Sequence, residues 1–130
     1  MYLLDTNACL DFLLLRSPIL VKRLAEVFQS CSVSTITVAE LRVGNRTSAD
    51  PVEDDRKLDL FLSALDVEPF DAAAAERYGR MMRDLSLKRT SFDRLIAAHA
   101  LTLGLVLVTS NTSDFADVPG LKVENWAAKY

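Results

Sequence analysis

Short apolar segments that alternate with helical segments constrain the fold of this chain more than any other feature. The strongest is the unbroken run Leu105–Val108, a pattern typical of a parallel strand that is buried on both faces. Further strands are predicted at Tyr2–Leu4, Ser32–Ser34, Val67–Pro69 and Leu121–Val123. Because strands separated by helices form βαβ units, we expect an α/β fold in three layers, with a central parallel sheet of four to five short strands flanked by helices.

The helices are predicted from apolar residues at helical spacing and from signals at their ends. The polar stretch 45–55 is expected to be a loop between two of them, and Gly104 is expected to close the last. With 130 residues, the chain fits a single domain over 1–130. The predicted helices span about Thr6–Leu15, Pro18–Phe28, Val38–Val43, Leu58–Leu65, Ala72–Leu87 and Phe92–Leu103.

Composition and charge exclude several classes of function. A net charge of −3 argues against a passive basic nucleic-acid binder, because phosphate neutralisation needs clustered Lys and Arg. It does not exclude a nuclease that concentrates acids around a metal ion. Cys9 and Cys31 lack the spacing of a zinc site or a disulfide framework, which favours a reduced cytoplasm. No apolar run approaches the roughly 20 residues that cross a bilayer, so we expect a cytoplasmic protein without a membrane partner.

Acidic residues lie where the predicted strands end and helices begin. Asp5 directly follows the first strand, Glu40 lies at the start of the third helix, and Asp93 lies in the first turn of the last helix. Asn111 and Asp114 follow the strongest strand. Because ligands of α/β sheets bind at the carboxyl ends of strands, these are the candidate site residues.

Taken one at a time, these acids are well explained by helix capping. Asp5 could cap the first helix, and Thr37 with Glu40 matches the S/T-x-x-E capping box. Asp93 and Asp114 could each complement the positive end of a helix dipole. Capping and metal binding are compatible roles for one carboxylate, so the two explanations remain open together.

The joint arrangement of the acids adds a chemical argument. Carboxylates held close together repel one another and raise each other's pKa, and a divalent cation removes that cost. Mg²⁺ and Mn²⁺ favour oxygen ligands, and a water on such an ion can become the attacking nucleophile. An acidic cluster without His or Cys therefore indicates Mg²⁺ or Mn²⁺ chemistry on phosphodiesters more than zinc hydrolysis.

Segments in a defined order along nearly the whole chain resemble the PIN-domain family. The segments are LLDTN at Leu3–Asn7, ITVAEL at Ile36–Leu41 and FDRLIAAHAL at Phe92–Leu101. The closing segments VTSNTSDF at Val108–Phe115 and VPGLKVENW at Val118–Trp126 resemble VapC-type toxins in particular. A single DTN tripeptide would be weak evidence, whereas several ordered segments of matching length are specific.

The resemblance implies a PIN fold and a Mg²⁺- or Mn²⁺-dependent endoribonuclease, the toxin of a type II toxin–antitoxin system. It places the metal ligands on Asp5, Glu40 and Asp93. The fourth acidic position of many PIN domains falls on Asn111 here, with Asp114 three residues later, so both are catalytic candidates. The implied partners are an RNA substrate, with tRNA among the candidates, and a cognate VapB-like antitoxin. A homodimer and a hetero-oligomer with the antitoxin are also implied.

Four further residues are candidates for contacts with the acids or with RNA. Thr6, Asn7 and Thr109 could hold the acids, the waters or the substrate in place, and Arg94 is a candidate phosphate contact. Arg94 ends a basic stretch that could guide RNA or could simply be a solvated helix face with i,i+4 ion pairs, and the sequence supports both equally. The other basic residues of the stretch are Arg77, Arg80, Arg83, Lys88 and Arg89.

Two other interpretations compete with the nuclease. One is a non-catalytic PIN-like scaffold that binds RNA or protein, in which Asn111 marks the loss of the full acidic set. The other is an unrelated phosphohydrolase or receiver-like domain, but the chain has neither a DxDx[TV] motif after the first strand nor a GxxxxGK loop. His99, the single histidine, is expected to be a packed residue, because it cannot build a multi-histidine site.

Overall fold

A computed structural model of the chain describes residues 1–44, 48–85 and 91–127. A parallel sheet of five strands in the order β3-β2-β1-β4-β5 forms its centre. The predicted α/β fold with a central parallel sheet of short strands is therefore confirmed. The strands are β1 (Tyr2–Leu4), β2 (Cys31–Ser34), β3 (Asp66–Glu68), β4 (Val106–Val108) and β5 (Val123–Glu124).

Six α-helices lie within the described residues and connect or flank the strands. Short 3-10 turns follow the second helix, at Phe28–Ser30, and the fourth strand, at Thr112–Phe115. None of the helices in the described part of the chain is long and apolar enough to span a membrane. The helices are α1 (Thr6–Leu13), α2 (Pro18–Val27), α3 (Thr35–Gly44), α4 (Pro51–Ser63), α5 (Ala72–Asp84) and α6 (Phe92–Leu103).

Two hydrophobic cores cover the two faces of the sheet, which gives the three predicted layers. Adjacent residues of β1 point to opposite faces, so Leu3 and Leu4 are both fully buried but belong to different cores. Leu4 packs in the core formed with α1, α2 and α4, whereas Leu3 packs in the core formed with α5 and α6. Trp126 is buried near the C-terminus, and its ring makes an edge contact with Tyr2 at 4.9 Å.

The start of α3 differs from the prediction and changes the role of Thr37. The helix begins at Thr35, earlier than the predicted Val38, because Ser34 at the end of β2 accepts a hydrogen bond from the Ile36 amide at 3.1 Å. Thr37 is thus inside the helix and buried, and its hydroxyl lacks a hydrogen-bond partner. The capping box expected for Thr37 and Glu40 is wrong, since neither residue lies at the helix start.

Other element boundaries shift for local reasons. α4 begins at Pro51 because Asp50 accepts a hydrogen bond from the Glu53 amide, so the loop expected over 45–55 ends earlier. β5 occupies Val123–Glu124, because these residues pair with β4, and the predicted strand at Leu121–Val123 was placed too early. α5 ends at Asp84 rather than at the predicted Leu87; residues 45–47, 86–90 and 128–130 lie outside the described part.

The strand order places the candidate residues at one edge of the sheet. The chain runs from β1 to β2 and β3 on one side and then crosses to β4 on the other side of β1. In α/β sheets, ligands bind where the strand order reverses in this way, outside the carboxyl ends of the strands. Asp5 follows β1 and the segment 109–114 follows β4, so both lie at this edge.

Candidate acidic site

Asp5 is a buried carboxylate that is held by hydrogen bonds from neighbouring groups. Its side chain is 2% exposed, and its backbone amide donates to the Val108 carbonyl at 3.0 Å. The carboxylate accepts a hydrogen bond from the Ala8 amide at 2.7 Å, which caps α1. Burial raises the pKa of Asp5 to about 6, although the hydrogen bonds from the Thr109 hydroxyl and the Ala8 amide lower it and the Asp93 charge raises it further. Asp5 therefore caps its helix and also faces the other acids.

Glu40 is held by a hydroxyl from the helix that Asp5 caps. The Thr6 hydroxyl donates to Glu40 Oε1 at 2.6 Å, which connects α1 to α3. Burial raises the pKa of Glu40, the Thr6 hydrogen bond opposes this shift, and the Asp93 charge adds to it. Because Thr6 donates to one carboxylate oxygen of Glu40, the other oxygen is the one that could bind a further group.

Asp93 is the acid that interacts electrostatically with all the others. It lies half-buried in the first turn of α6, which Ser91 caps through a hydrogen bond from the Arg94 amide at 3.2 Å. Burial raises the pKa of Asp93, the charge of Asp114 raises it further, and Arg94 lowers it. Because Asp93 also raises the pKa of both Asp5 and Glu40, the structure brings the predicted acids into one cluster.

In the segment after β4, the residue that interacts electrostatically with Asp93 is Asp114 rather than Asn111. Asp114 lies exposed in the 3-10 turn after β4 and repels Asp93. Asn111 is exposed, and it contacts the site through its backbone: its amide donates to Thr109 Oγ1 at 3.0 Å and its carbonyl accepts from the Asp114 amide at 3.0 Å. Asn111 thus shapes the turn that presents Asp114.

The four acids suit a Mg²⁺ or Mn²⁺ ion that keeps several of its waters better than an ion that is enclosed by protein ligands alone. Asp5, Glu40, Asp93 and Asp114 offer only oxygen ligands, and the charged forms of the first three are disfavoured until a cation compensates them. Over residues 1–44, 48–85 and 91–127, no three His, Cys, Asp or Glu side chains form a ready-made metal cage. Mg²⁺ typically takes one or two carboxylates and keeps several waters, so these residues fit it.

The remaining predicted contacts have different surroundings. Asn7 is exposed in α1, next to Thr6, and its role stays a prediction. Arg94 forms a two-pronged ion pair with Asp117, with nitrogen–oxygen distances of 2.8 and 3.0 Å. Within the basic stretch, Arg80 pairs with Glu76 at 3.9 Å, which is the i,i+4 pair of a solvated helix face. Lys88 and Arg89 lie outside the described residues.

Two supporting residues were missed by the sequence analysis. Ser34 accepts from the Ile36 amide and lies 2.8 Å from His99 Nδ1, so it joins the start of α3 to α6. A serine between an apolar strand and a helix was a signal that could have identified it. Asp117 had no such signal, because its partner Arg94 is 23 residues away.

His99 has the packed role that was expected, and the two cysteines are packed as well. His99 is buried, and its ring makes an edge contact with Phe70 at 5.3 Å. Cys9 and Cys31 are buried free thiols, and burial raises the pKa of Cys9 and raises that of Cys31 to about 11. Both thiols therefore stay protonated near neutral pH, which argues against a thiolate nucleophile.

Comparisons with known proteins agree on one family. The PIN domain family model matches residues 2–121. The chain is 35% identical to the tRNA(fMet)-specific endonuclease VapC of Shigella flexneri, over 97% of this chain and 98% of that protein. The solved structure of VapBC2 from Rickettsia felis bound to a promoter DNA fragment contains a chain with 32% identity and a TM-score of 0.85, over 96% of this chain and 98% of that chain. The DNA-bound VapBC of Salmonella typhimurium gives 31% identity and a TM-score of 0.89, over 96% and 97%.

Proposed function

This chain belongs to the PIN-domain family and, within it, to the VapC ribonucleases, and we propose that it is a metal-dependent endoribonuclease toxin. The observation that carries the proposal is the cluster of four interacting acids at the edge of the sheet where the strand order reverses. The family match also decides against an unrelated phosphohydrolase or receiver-like domain. Hydrolysis of RNA phosphodiester bonds with 5′-phosphate and 3′-hydroxyl products is the reaction that we expect.

We assign a role to each acid on its surroundings. Asp5 and Asp93 are the proposed ligands of Mg²⁺ or Mn²⁺, and Glu40 ligates the ion or orients the attacking water. Bound there, the ion would supply an acidified water and positive charge next to the phosphate. Asp114 is the fourth acid, whereas Asn111 supports the turn. The Ala8 amide and the Thr109 hydroxyl donate to Asp5, and the Thr6 hydroxyl donates to Glu40, so these hydrogen bonds orient both carboxylates.

The proposed substrate is tRNA, with initiator tRNA as the first candidate. The support is the name of the relative from Shigella flexneri, a tRNA(fMet)-specific endonuclease that is similar over nearly the full length of both chains. We assign exposed Asn7, which follows Thr6 in α1, a contact with a phosphate or ribose of the substrate. Thr6 and Thr109 are already engaged with Glu40 and Asp5, so we assign them the positioning of acids rather than direct substrate binding.

We further propose that a VapB-like antitoxin binds a groove next to the acids. The groove has a volume of about 330 Å³ and lies between α1, α3 and α4, with Glu40 at its wall. Its apolar lining suits the apolar face of a peptide segment, and such a segment would cover the site. The leucines of the lining are Leu10, Leu13, Leu14, Leu41 and Leu58. A homodimer of the toxin and its hetero-oligomer with the antitoxin stay predictions, which light scattering of the free and bound protein would check.

The decisive experiment is cleavage of total bacterial RNA and of an initiator tRNA transcript by the purified protein. We expect discrete fragments with Mg²⁺ or Mn²⁺, which disappear with EDTA and in Asp93→Asn. Asp59→Asn is the matched control, because it removes an exposed carboxylate that pairs with Arg42 away from the acids. Absence of cleavage, together with absence of Mn²⁺ binding by calorimetry, would overturn the nuclease and favour the non-catalytic scaffold.

A further inference from the structure

The Arg94–Asp117 ion pair combines two-pronged geometry with a largely covered arginine, unlike the two-pronged Arg56–Glu53 pair, whose arginine is 60% exposed. The two terminal guanidinium nitrogens of Arg94 donate to the two oxygens of Asp117, at 2.8 and 3.0 Å. The Arg94 side chain is only 18% exposed, whereas Asp117 is 49% exposed. A two-pronged pair with a largely covered arginine fixes geometry as well as charge.

This pair joins the segment that carries Asp93 to the segment that carries Asp114. Arg94 lies in the first turn of α6, directly after Asp93. Asp117 follows the 3-10 turn Thr112–Phe115, which contains Asp114. The apolar side of that segment is anchored by Phe115, which is buried in the core shared with α6. The ion pair thus connects the solvent-facing side of the segment to α6.

The charges make this connection necessary. Asp114 and Asp93 repel each other, and their repulsion raises the pKa of Asp93. Arg94 interacts favourably with Asp93, Asp114 and Asp117, so one guanidinium compensates three carboxylates. Without the pair, repulsion would favour positions in which the turn carrying Asp114 moves away from α6.

We propose that Arg94 is a positioning residue of the acidic site, which holds Asp114 opposite Asp93 through its pair with Asp117. This assignment rests on the proposed nuclease function, and it replaces the contact with an RNA phosphate that the sequence suggested for Arg94. In this role, Arg94 affects the reaction only by positioning Asp114 relative to Asp93. Asp117 is accordingly a required residue, although it lies outside every segment that resembles the PIN family's acidic motifs.

Matched variants separate positioning from phosphate binding. Asp117→Asn removes the carboxylate charge and one of the two acceptor oxygens with almost no change in shape. Arg94→Gln removes the cation, and Arg94→Lys keeps the charge but not the two-pronged geometry. Asp59→Asn breaks an exposed pair with Arg42 and serves as the control. For each protein we would measure the Mn²⁺ concentration at half-maximal cleavage, KM for RNA, the Mn²⁺ Kd by calorimetry, and amide exchange of residues 112–118 without metal.

If Arg94 positions Asp114 through Asp117, removing either partner of the ion pair should have the same effect on metal binding. We expect Asp117→Asn and Arg94→Gln to raise the Mn²⁺ Kd and half-maximal concentration about 10-fold, the lower end for residues that orient metal ligands. KM for RNA should change less than about 2-fold, and Arg94→Lys should recover part of the loss. Amides whose hydrogen bonds close the turn, such as those of Asp114 and Val118, should exchange faster in both variants.

Two results would overturn the positioning role. One is a rise in KM confined to Arg94→Gln with Asp117→Asn at wild-type values, which would identify Arg94 as a phosphate contact. The other is unchanged amide exchange over 112–118 in both variants. If the wild-type protein neither cleaves RNA nor binds Mn²⁺, the proposed function fails, but the exchange measurement still decides whether the pair orders this segment.

Discussion

The inner and outer halves of the acidic site are stabilised in different ways. In the inner half, Asp5 and Glu40 are fixed by neutral donors, which are the Ala8 amide and the hydroxyls of Thr6 and Thr109. In the outer half, Asp93 and Asp114 lie at the start of α6 and on a 3-10 turn, which an ion pair at the surface connects. Hydrogen bonds to buried groups are insensitive to salt, whereas a partly exposed ion pair is screened by it.

This difference indicates that the two halves of the acidic site have different physical roles. The inner half pays for its rigidity by desolvating a carboxylate, as the raised pKa of Asp5 shows. In the outer half, Asp93 is half-buried, as Glu40 is, whereas Asp114 is exposed at the surface.

Asp5→Asn should separate activity from stability. We expect cleavage to fall at least about 100-fold, more than when a residue that only orients a ligand is lost. The folded-state pKa of about 6 lies above the ordinary 3.8, so protonated Asp5 stabilises the fold below pH 4 and this contribution is lost as pH rises through 6. The metal-free variant should therefore be more stable at pH 8, by up to about 3 kcal/mol.

Denaturant unfolding in EDTA at pH 8 and pH 4 measures this effect of Asp5. The difference in the free energy of unfolding between variant and wild type should shrink at pH 4, where Asp5 is already neutral. An Asp5→Asn protein that is less stable than wild type at pH 8 would show that desolvation does not dominate the inner half.

Asp114→Asn and Asn111→Ala test which residue completes the outer half. Asp114 interacts electrostatically with Asp93, whereas Asn111 contacts the site through its backbone, so their side chains should matter unequally. We expect about a 30-fold loss of cleavage for Asp114→Asn, within the 10- to 100-fold range for residues around a metal site, and less than about 3-fold for Asn111→Ala. Single-turnover cleavage of one RNA at saturating Mn²⁺ checks this order, and the reverse order would return the fourth position to Asn111.

Thr6→Val tests the neutral hydrogen bonds of the inner half. The change keeps the shape of the side chain but removes the donor to Glu40 Oε1. Because that hydrogen bond lowers the pKa of Glu40, its loss should raise this pKa further and move the acidic limb of the pH–rate profile to higher pH. We expect about a 10-fold loss of cleavage at pH 7. Thr6→Ser is the control that keeps the hydroxyl, and it should retain the wild-type profile.

Thr37→Val should have the smallest effect and the opposite sign. The Thr37 hydroxyl is buried without a hydrogen-bond partner inside α3, the helix that carries Glu40. Replacing an unsatisfied hydroxyl by a methyl group should raise the free energy of unfolding by about 1 kcal/mol. Cleavage should stay unchanged, because no acid contact is altered. A destabilised variant in thermal unfolding would indicate that the hydroxyl is satisfied in solution.

The sequence predicted the fold and the grouping of the acids because both depend on local signals. Alternation of strands and helices implies a parallel sheet, and Asp5 and Asp93 follow directly from a strand end and a helix start. The first turn of α3 was misjudged, since a capping box at Thr37 and Glu40 looked complete while Ser34 supplied the actual cap. The local sequence pattern alone could not decide whether Ser34 or Thr37 caps α3.

The contacts that connect the acids could not be predicted, because they join residues that are distant in the chain. Thr6 and Glu40 are 34 residues apart, and Ser34 and His99 are 65 residues apart. The pairing of Arg94 with Asp117 likewise depends on how the turn after β4 packs against α6. Such pairings follow from tertiary packing, and no spacing rule within a helix or strand encodes them.

The position of β1 at the centre of the sheet has a consequence for protein synthesis. Asp5 leaves the ribosome before its partners, because its amide bonds to Val108 and its carboxylate to Thr109, which both lie far along the chain. Domains complete their native pairing only when all strands are available. A growing chain therefore cannot assemble this acidic edge until β4 has emerged, so any activity that depends on the edge is absent from the shorter nascent chain.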